Sequence, residues 1–124
     1  MKVAALQHDI VWEDRDANFA RLAPMIADAA ADGARLVLLA ELYSTGFSLR
    51  TDVTAEAEDG PSTQFLADQA EAQGVWVGGS LPARVSGASL PSNRFVLAGP
   101  DGERFHYDKL HPFSYGKEDE HYAA

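Results

Sequence analysis

Val37-Leu38-Leu39, three consecutive apolar residues inside the segment Arg35 to Ala40, is the stretch that most restricts the fold. A strand with one face in water alternates apolar and polar side chains, so an unbroken run calls for a strand covered on both sides. The segments before it complete a strand-helix-strand unit. Lys2 to Gln7 is a second short run rich in Val, Ala and Leu, closed by the polar His8 and Asp9, and reads as the first strand. From about Asp16 to Asp32, the residues Phe19, Leu22, Ile26, Ala29 and Ala30 recur at three- and four-residue steps, which places them on one helical face. Asp14 or Asp16 can cap the start of this helix and Gly33 its end.

Beyond Glu41, Leu42 to Gly60 is irregular and polar. Pro61 to Gln73, followed by Gly74, reads as a second helix entered at a proline and stopped at a glycine. Val75 to Leu81 is a third strand, and Ser86 to Ser92, with Gly87 and Pro91, is a loop. Asn93 to Ala98 and Arg104 to Tyr107 flank Pro100-Asp101-Gly102, a hairpin signal. No repeat, low-complexity tract or interdomain linker interrupts this mixed α/β order. A chain of 124 residues is one domain or part of one. With 46% hydrophobic and 23% charged residues it matches an ordinary soluble protein, and no stretch is long enough to span a membrane. The 10 Lys and Arg against 19 Asp and Glu give a net charge of -9, and the positive residues form no stripe that could neutralise phosphates, so nucleic acid is not an expected partner. The run from Val3 to Leu6 is too short for a secretory signal, and a cytoplasmic location is expected. Zero cysteines exclude disulfides, thiolate metal sites and thiol nucleophiles within these residues.

Glu41 is the first candidate for chemistry. A carboxylate at the carboxyl end of a buried strand lies where open α/β sheets place their ligand crevices. Its apolar neighbours would raise its pKa toward that of a general base; the plain alternative is a turn cap or an arginine partner. Gly46 permits a sharp turn after it, while Tyr43 and Phe47 could line a pocket or belong to the core. Lys109 opens Lys109-Leu110-His111-Pro112-Phe113, just past the hairpin. Lysines in such places are ordinarily solvated, but one kept protonated by carboxylates can stabilise charge growing on a carbonyl oxygen. Glu118-Asp119-Glu120 is an acidic run of the kind that usually faces solvent, one member of which could orient Lys109 or the base. His106, His111 and His121 fit no compact ligand spacing, so no metal is expected, and no glycine loop suited to a phosphate is present. Gly78 and Gly79, inside a strand, mark close backbone packing.

Three segments, VAALQHD (Val3 to Asp9), VLLAELYSTGF (Val37 to Phe47) and YDKLHPFSYGKEDEHYAA (Tyr107 to Ala124), resemble the nitrilase superfamily of carbon-nitrogen hydrolases, most closely its ω-amidase-like branch. The order of elements matches as well, so the resemblance spans essentially the whole chain, with the two catalytic segments as its specific part. It implies an α/β fold, the N-terminal half of an α-β-β-α sandwich: a mixed sheet with two helices on one face, residues 1–124 forming a partial carbon-nitrogen hydrolase domain. It also implies a Glu, Lys, Cys triad without a cofactor. Glu41 matches the general base and Lys109 the lysine that supports the tetrahedral intermediate. Glu118 resembles a second, assisting glutamate, with Glu120 as the fallback, and Tyr43, Phe47 and Phe113 are the aromatic residues expected to bind substrate. In the family the nucleophilic cysteine lies on a later strand, which this sequence does not reach. Ser44 and Ser48 are poor substitutes for a thiol, so the chain alone is expected to be inactive. The resemblance points to a small, carboxylate-bearing amide as substrate. A sheet face without its partner layer is expected to drive homo-oligomer formation or self-association. The other functional class open at this point is a non-catalytic remnant acting as a binding or oligomerisation module.

Overall fold

The computed structural model describes Met1 to Ala124. The strand-helix-strand unit is formed by β1 (Val3–Ala5), α1 (Arg15–Ala31) and β2 (Leu36–Leu38), with the two strands parallel and Ala4 opposite Val37. Both strands are shorter than their apolar runs. The runs nevertheless pair as one ladder, because Arg35 N–H donates to Lys2 O at 2.9 Å and Leu6 N–H to Leu38 O at 2.8 Å. Asp14 caps α1 by accepting from Ala17 N–H at 3.0 Å, while the C-cap is Asp32, one residue before the expected Gly33. Pro24 lies inside this helix and removes one internal hydrogen bond. The helix continues through it because Leu22 and Ile26 on either side are fully buried against the sheet.

The short helix α2 (Thr51–Thr54) interrupts the segment read as irregular, and α3 (Pro61–Gln73) follows with the expected proline entry and a left-handed Gly74 at its end. The strands β3 (Trp76–Ala83), β4 (Ser92–Ala98) and β5 (Arg104–Asp108) complete a five-stranded sheet in the order β1-β2-β3-β4-β5. Here β3 is parallel to β2, and β4 and β5 are antiparallel. The sheet is therefore mixed, as expected.

Alternation along the strands divides the sheet into two faces. Val37, Val77, Leu81, Val96 and Ala98 join Leu22 and Ile26 of α1 and Phe65, Leu66 and Ala70 of α3 in a single buried core. The two helices meet above it, where Phe19 and Phe65 stack at 4.5 Å between centroids. The opposite face carries Leu38, Trp76, Phe95, Leu97, Phe105 and Tyr107, which stand beside one another in the strand register. Phe105 and Tyr107 are 60% and 59% exposed, since no other part of this chain covers them. Gly78 and Gly79 sit between the layers. A Cβ on Gly78 would lie 2.6 Å from the Phe95 ring, and one on Gly79 would lie 2.8 Å from the Tyr43 ring and 3.2 Å from Leu39 Cβ, so the close packing read from this pair is realised on both faces. No helix is long and apolar enough to cross a membrane.

Candidate active site

The chain leaves β2 through Leu39, whose N–H donates to Gly78 O at 2.7 Å, and reaches Glu41 at the carboxyl end of the parallel strands. The next residue, Leu42, has φ 49. A left-handed backbone costs a non-glycine residue roughly 1–2 kcal/mol, and here the fully buried Leu42 side chain and a 2.8 Å bond from its N–H to Ser80 Oγ hold it in place. A second sharp turn follows at Gly46, with φ 79, where a Cβ would meet the Trp12 ring at 2.8 Å. These turns send neighbouring aromatic side chains in different directions. Tyr43 enters the helix-side core, fully buried between Phe19 and Phe65, with its hydroxyl donating to Ser62 O. Its expected place at the substrate is thus corrected to a core position. Phe47 stays at the site, its ring centroid 5.7 Å from Lys109 Nζ.

Lys109 follows β5 directly and is set against β4 by its N–H, which donates to Asn93 O at 3.0 Å. Its ammonium donates to Glu41 Oε1 at 2.8 Å and to Glu118 Oε2 at 2.9 Å. Two residues 68 positions apart are thereby joined. Glu118 comes from the 3-10 turn Glu118–Glu120, entered through a left-handed Lys117 with φ 63. It is fully buried. Its Oε2 also accepts from Phe113 N–H, and its Oε1 accepts from Asn93 Nδ2 at 3.0 Å. The same Asn93 nitrogen donates to Glu41 Oε1 at 2.8 Å. Tyr122, buried with its hydroxyl donating to Ser48 O at 3.1 Å, and Ala123, whose N–H donates to Pro91 O at 2.9 Å, fasten the end of the chain beside this cluster. Burial raises the Tyr122 phenol to about 12.

Of the two acids offered for the assisting role the structure selects the first, and it departs from expectation at Phe113 and in the surroundings of Glu41. Glu118 joins the cluster, whereas Glu120 is exposed, with no side-chain partner. Phe113 contributes its N–H, while its half-exposed ring lies over Gly116 and beside Tyr115. Glu41 does not sit among apolar groups: its side chain is 48% exposed and faces the two donors Asn93 and Lys109. Asn93, Ser80, Phe95 and Tyr107, which line a shallow cleft with Glu41 and Lys109, went unread. Asn93 had a signal, since asparagine is depleted in strands and a polar residue amid an apolar strand is informative.

Charge in the cluster is unequally buried. Burial pushes the Glu118 carboxyl up, but the hydrogen bonds from Asn93, Phe113 N–H and Lys109 together outweigh it and hold Glu118 below the ordinary 4.5. Burial also opposes the Lys109 ammonium, and the two carboxylates more than offset this, holding Lys109 above 10.5. A depressed acid adds stability above its unfolded value and loses it as pH falls through its folded value; a raised base adds stability below its unfolded value and loses it as pH rises through its folded one. The melting temperature should therefore be level from about pH 5 to about pH 10 as far as this cluster is concerned, with losses on either side. Measured against pH, the Glu118→Gln variant should show a shallower acid limb; an identical limb would show that Glu118 carries none of it.

Such a group can accept a proton at one carboxylate and offer N–H to a developing oxyanion. The two serines near Glu41 in sequence are engaged elsewhere: Ser44 Oγ lies 2.7 Å from Ser62 Oγ, and Ser48 Oγ donates to Glu13 Oε1 at 2.8 Å. Against known proteins, the chain is 32% identical over 118 residues to a nitrilase from Pyrococcus abyssi, covering 91% of this chain and 44% of that protein. It is 28% identical over 124 residues to the omega-amidase YafV from Yersinia enterocolitica, covering 100% and 46%. Among solved structures, a CN-hydrolase superfamily protein from Xanthomonas campestris with an arsenic adduct in its active site superposes with a TM-score of 0.89 at 32% identity, covering 98% of this chain and 45% of that one. A cysteine-to-alanine mutant of the amidase from Nesterenkonia sp. AN1, in complex with butyramide, gives a TM-score of 0.84 at 25% identity, covering 98% and 47%. The chain thus spans about half the length of the relatives it matches. The carbon-nitrogen hydrolase family model matches residues 2–123, and the chain belongs to that family.

Proposed function

We propose that this chain supplies the proton-transfer and oxyanion-stabilising half of a nitrilase-type amide hydrolase, with a cysteine thiol supplied by polypeptide outside these residues. The observation that carries the reading is the Lys109 ammonium held between Glu41 and Glu118 at 2.8 and 2.9 Å. Glu41 takes the thiol proton, and the sulfur attacks the amide carbon. Of the three ammonium hydrogens of Lys109, two serve the carboxylates and the third is free for the oxyanion. Collapse of the tetrahedral adduct breaks the C–N bond, the leaving nitrogen takes the proton from Glu41, and water activated by the same carboxylate cleaves the thioester. Glu118 assists by holding the lysine. Phe47 and the Phe113 segment flank the substrate, a small amide of the kind suggested by the butyramide and acrylamide complexes of the Nesterenkonia amidase and by the omega-amidase relatives. The cytoplasm, where thiols stay reduced, suits this chemistry. The uncovered sheet face with Phe105 and Tyr107 supports self-association or packing against further polypeptide.

The test compares residues 1–124 alone with a fusion of these residues to the portion of the Xanthomonas campestris relative that they do not match. Ammonia release from butyramide and from an ω-amide is measured for both. The fusion should hydrolyse at least one amide and the chain alone neither. A fusion that unfolds cooperatively yet releases no ammonia defeats the assignment, and hydrolysis by the chain alone defeats the requirement for a thiol.

A further inference from the structure

The two carboxylates of the cluster are treated differently by their donors. Glu118 has both oxygens occupied: Oε1 by Asn93, and Oε2 by Lys109 and the Phe113 N–H. Glu41 has both of its donors, Asn93 at 2.8 Å and Lys109 at 2.8 Å, on Oε1, and no side-chain hydrogen bond of the chain reaches its Oε2. Two carboxylates and one ammonium leave one uncompensated negative charge. The cluster can therefore take up one proton while keeping its ion pair, and the donors decide where that proton goes.

Asn93 is the one group that bonds both carboxylates without adding charge. It is buried on β4, its backbone oxygen is held by the Lys109 N–H, and the two hydrogens of its amide point to different carboxylates. Only the nitrogen can occupy this place, because the flipped amide would direct its oxygen at two anions. A cation here would cancel the remaining charge, and an apolar residue would leave the buried Glu118 Oε1 without a donor.

We infer that Asn93 is a positioning residue that assigns the two glutamates their separate roles, keeping Glu118 ionised and turned toward Lys109 while leaving Glu41 Oε2 as the oxygen that exchanges a proton. This rests on the reading of Glu41 as the proton-transferring group and Lys109 as the oxyanion donor, and it is tested by a measurement that needs no activity. Isotope-edited infrared spectra of the 124-residue chain with labelled glutamate follow protonation against pH whatever its association state. The band lost in Glu118→Gln identifies Glu118. In the unaltered chain this band should protonate below the bulk of the glutamates. In Asn93→Ala its midpoint should move up by about one pH unit, and in Asn93→Ser, which retains one donor, by less. Circular dichroism checks that the variants fold, and the serine variant, which fills part of the space with a polar group, carries the comparison if the alanine variant does not. An unmoved midpoint, within about 0.2 pH unit, in the folded variants overturns the role given to Asn93 and leaves the hydrolase reading standing. A folded fusion without amidase activity, with the midpoint shifted, defeats the hydrolase reading instead.

Discussion

In the active fusion, Glu41→Gln should lower amide turnover by about 10²–10⁴-fold, the range for removing a positioned general base. Glutamine has nearly the same shape, and its side-chain oxygen can still accept from Asn93 and Lys109, which meet Glu41 at Oε1. What it cannot do is take a proton. Substrate contacts should survive, so the loss should fall on kcat with little change in KM. Stability should change by no more than about 1 kcal/mol, the usual upper worth of a solvent-exposed ion pair, since the Glu41 side chain is 48% exposed. Steady-state kinetics with an unfolding curve on the same preparation separates these effects. Turnover within tenfold of the parent, with the fold intact, would remove Glu41 from the proton path.

The largest structural effect is expected at a different carboxylate. Glu56→Ala should destabilise the chain by about 3 kcal/mol, the low end for breaking a buried ion pair. The Glu56 side chain is 5% exposed and accepts from Arg15 Nε at 2.6 Å, from Ser62 N–H at 2.6 Å and from Ser62 Oγ at 2.8 Å. The Ser62 N–H is one of the free donors in the first turn of α3, whose N-cap, Gly60, has no side chain to offer. Glu56 thus does the work of a cap from outside the helix and places negative charge at its positive end. Alanine would leave the buried Ser62 N–H without its acceptor, while Ser62 Oγ keeps Ser44 Oγ as a partner. The low end applies because Arg15 is 24% exposed and also donates to Thr54 O. Glu56→Gln keeps acceptors in place and should cost less than alanine. Urea unfolding at constant m-value gives the difference, and a loss under about 1 kcal/mol would show that the network relaxes around the gap.

What could be read without coordinates follows the range of each signal. The start and end of α3 were legible because Pro61 and Gly74 act through their own backbone. Strand limits were not, since a strand extends only as far as its neighbour pairs with it; β3 runs to Ala83 because β4 reaches back to Ser92. Glu41 was marked by its place at the end of a buried strand, and the roles of Glu41, Lys109 and Glu118 came from segments that resemble a family, while their convergence depends on a sheet that brings β2, β4 and β5 to one end. Tyr43 and Phe47 show the opposite case. Four positions apart on one loop, they point to different places because of the turns at Leu42 and Gly46, which no periodicity reveals. Asn93 was missed because its partners lie 52 and 25 residues away.

The fastening of Tyr122 and Ala123 has a practical side. Tyr122 bonds Ser48 O and none of the charged groups, so Tyr122→Phe offers a handle on the turn that carries Glu118 while leaving Glu41, Lys109 and Glu118 themselves unaltered.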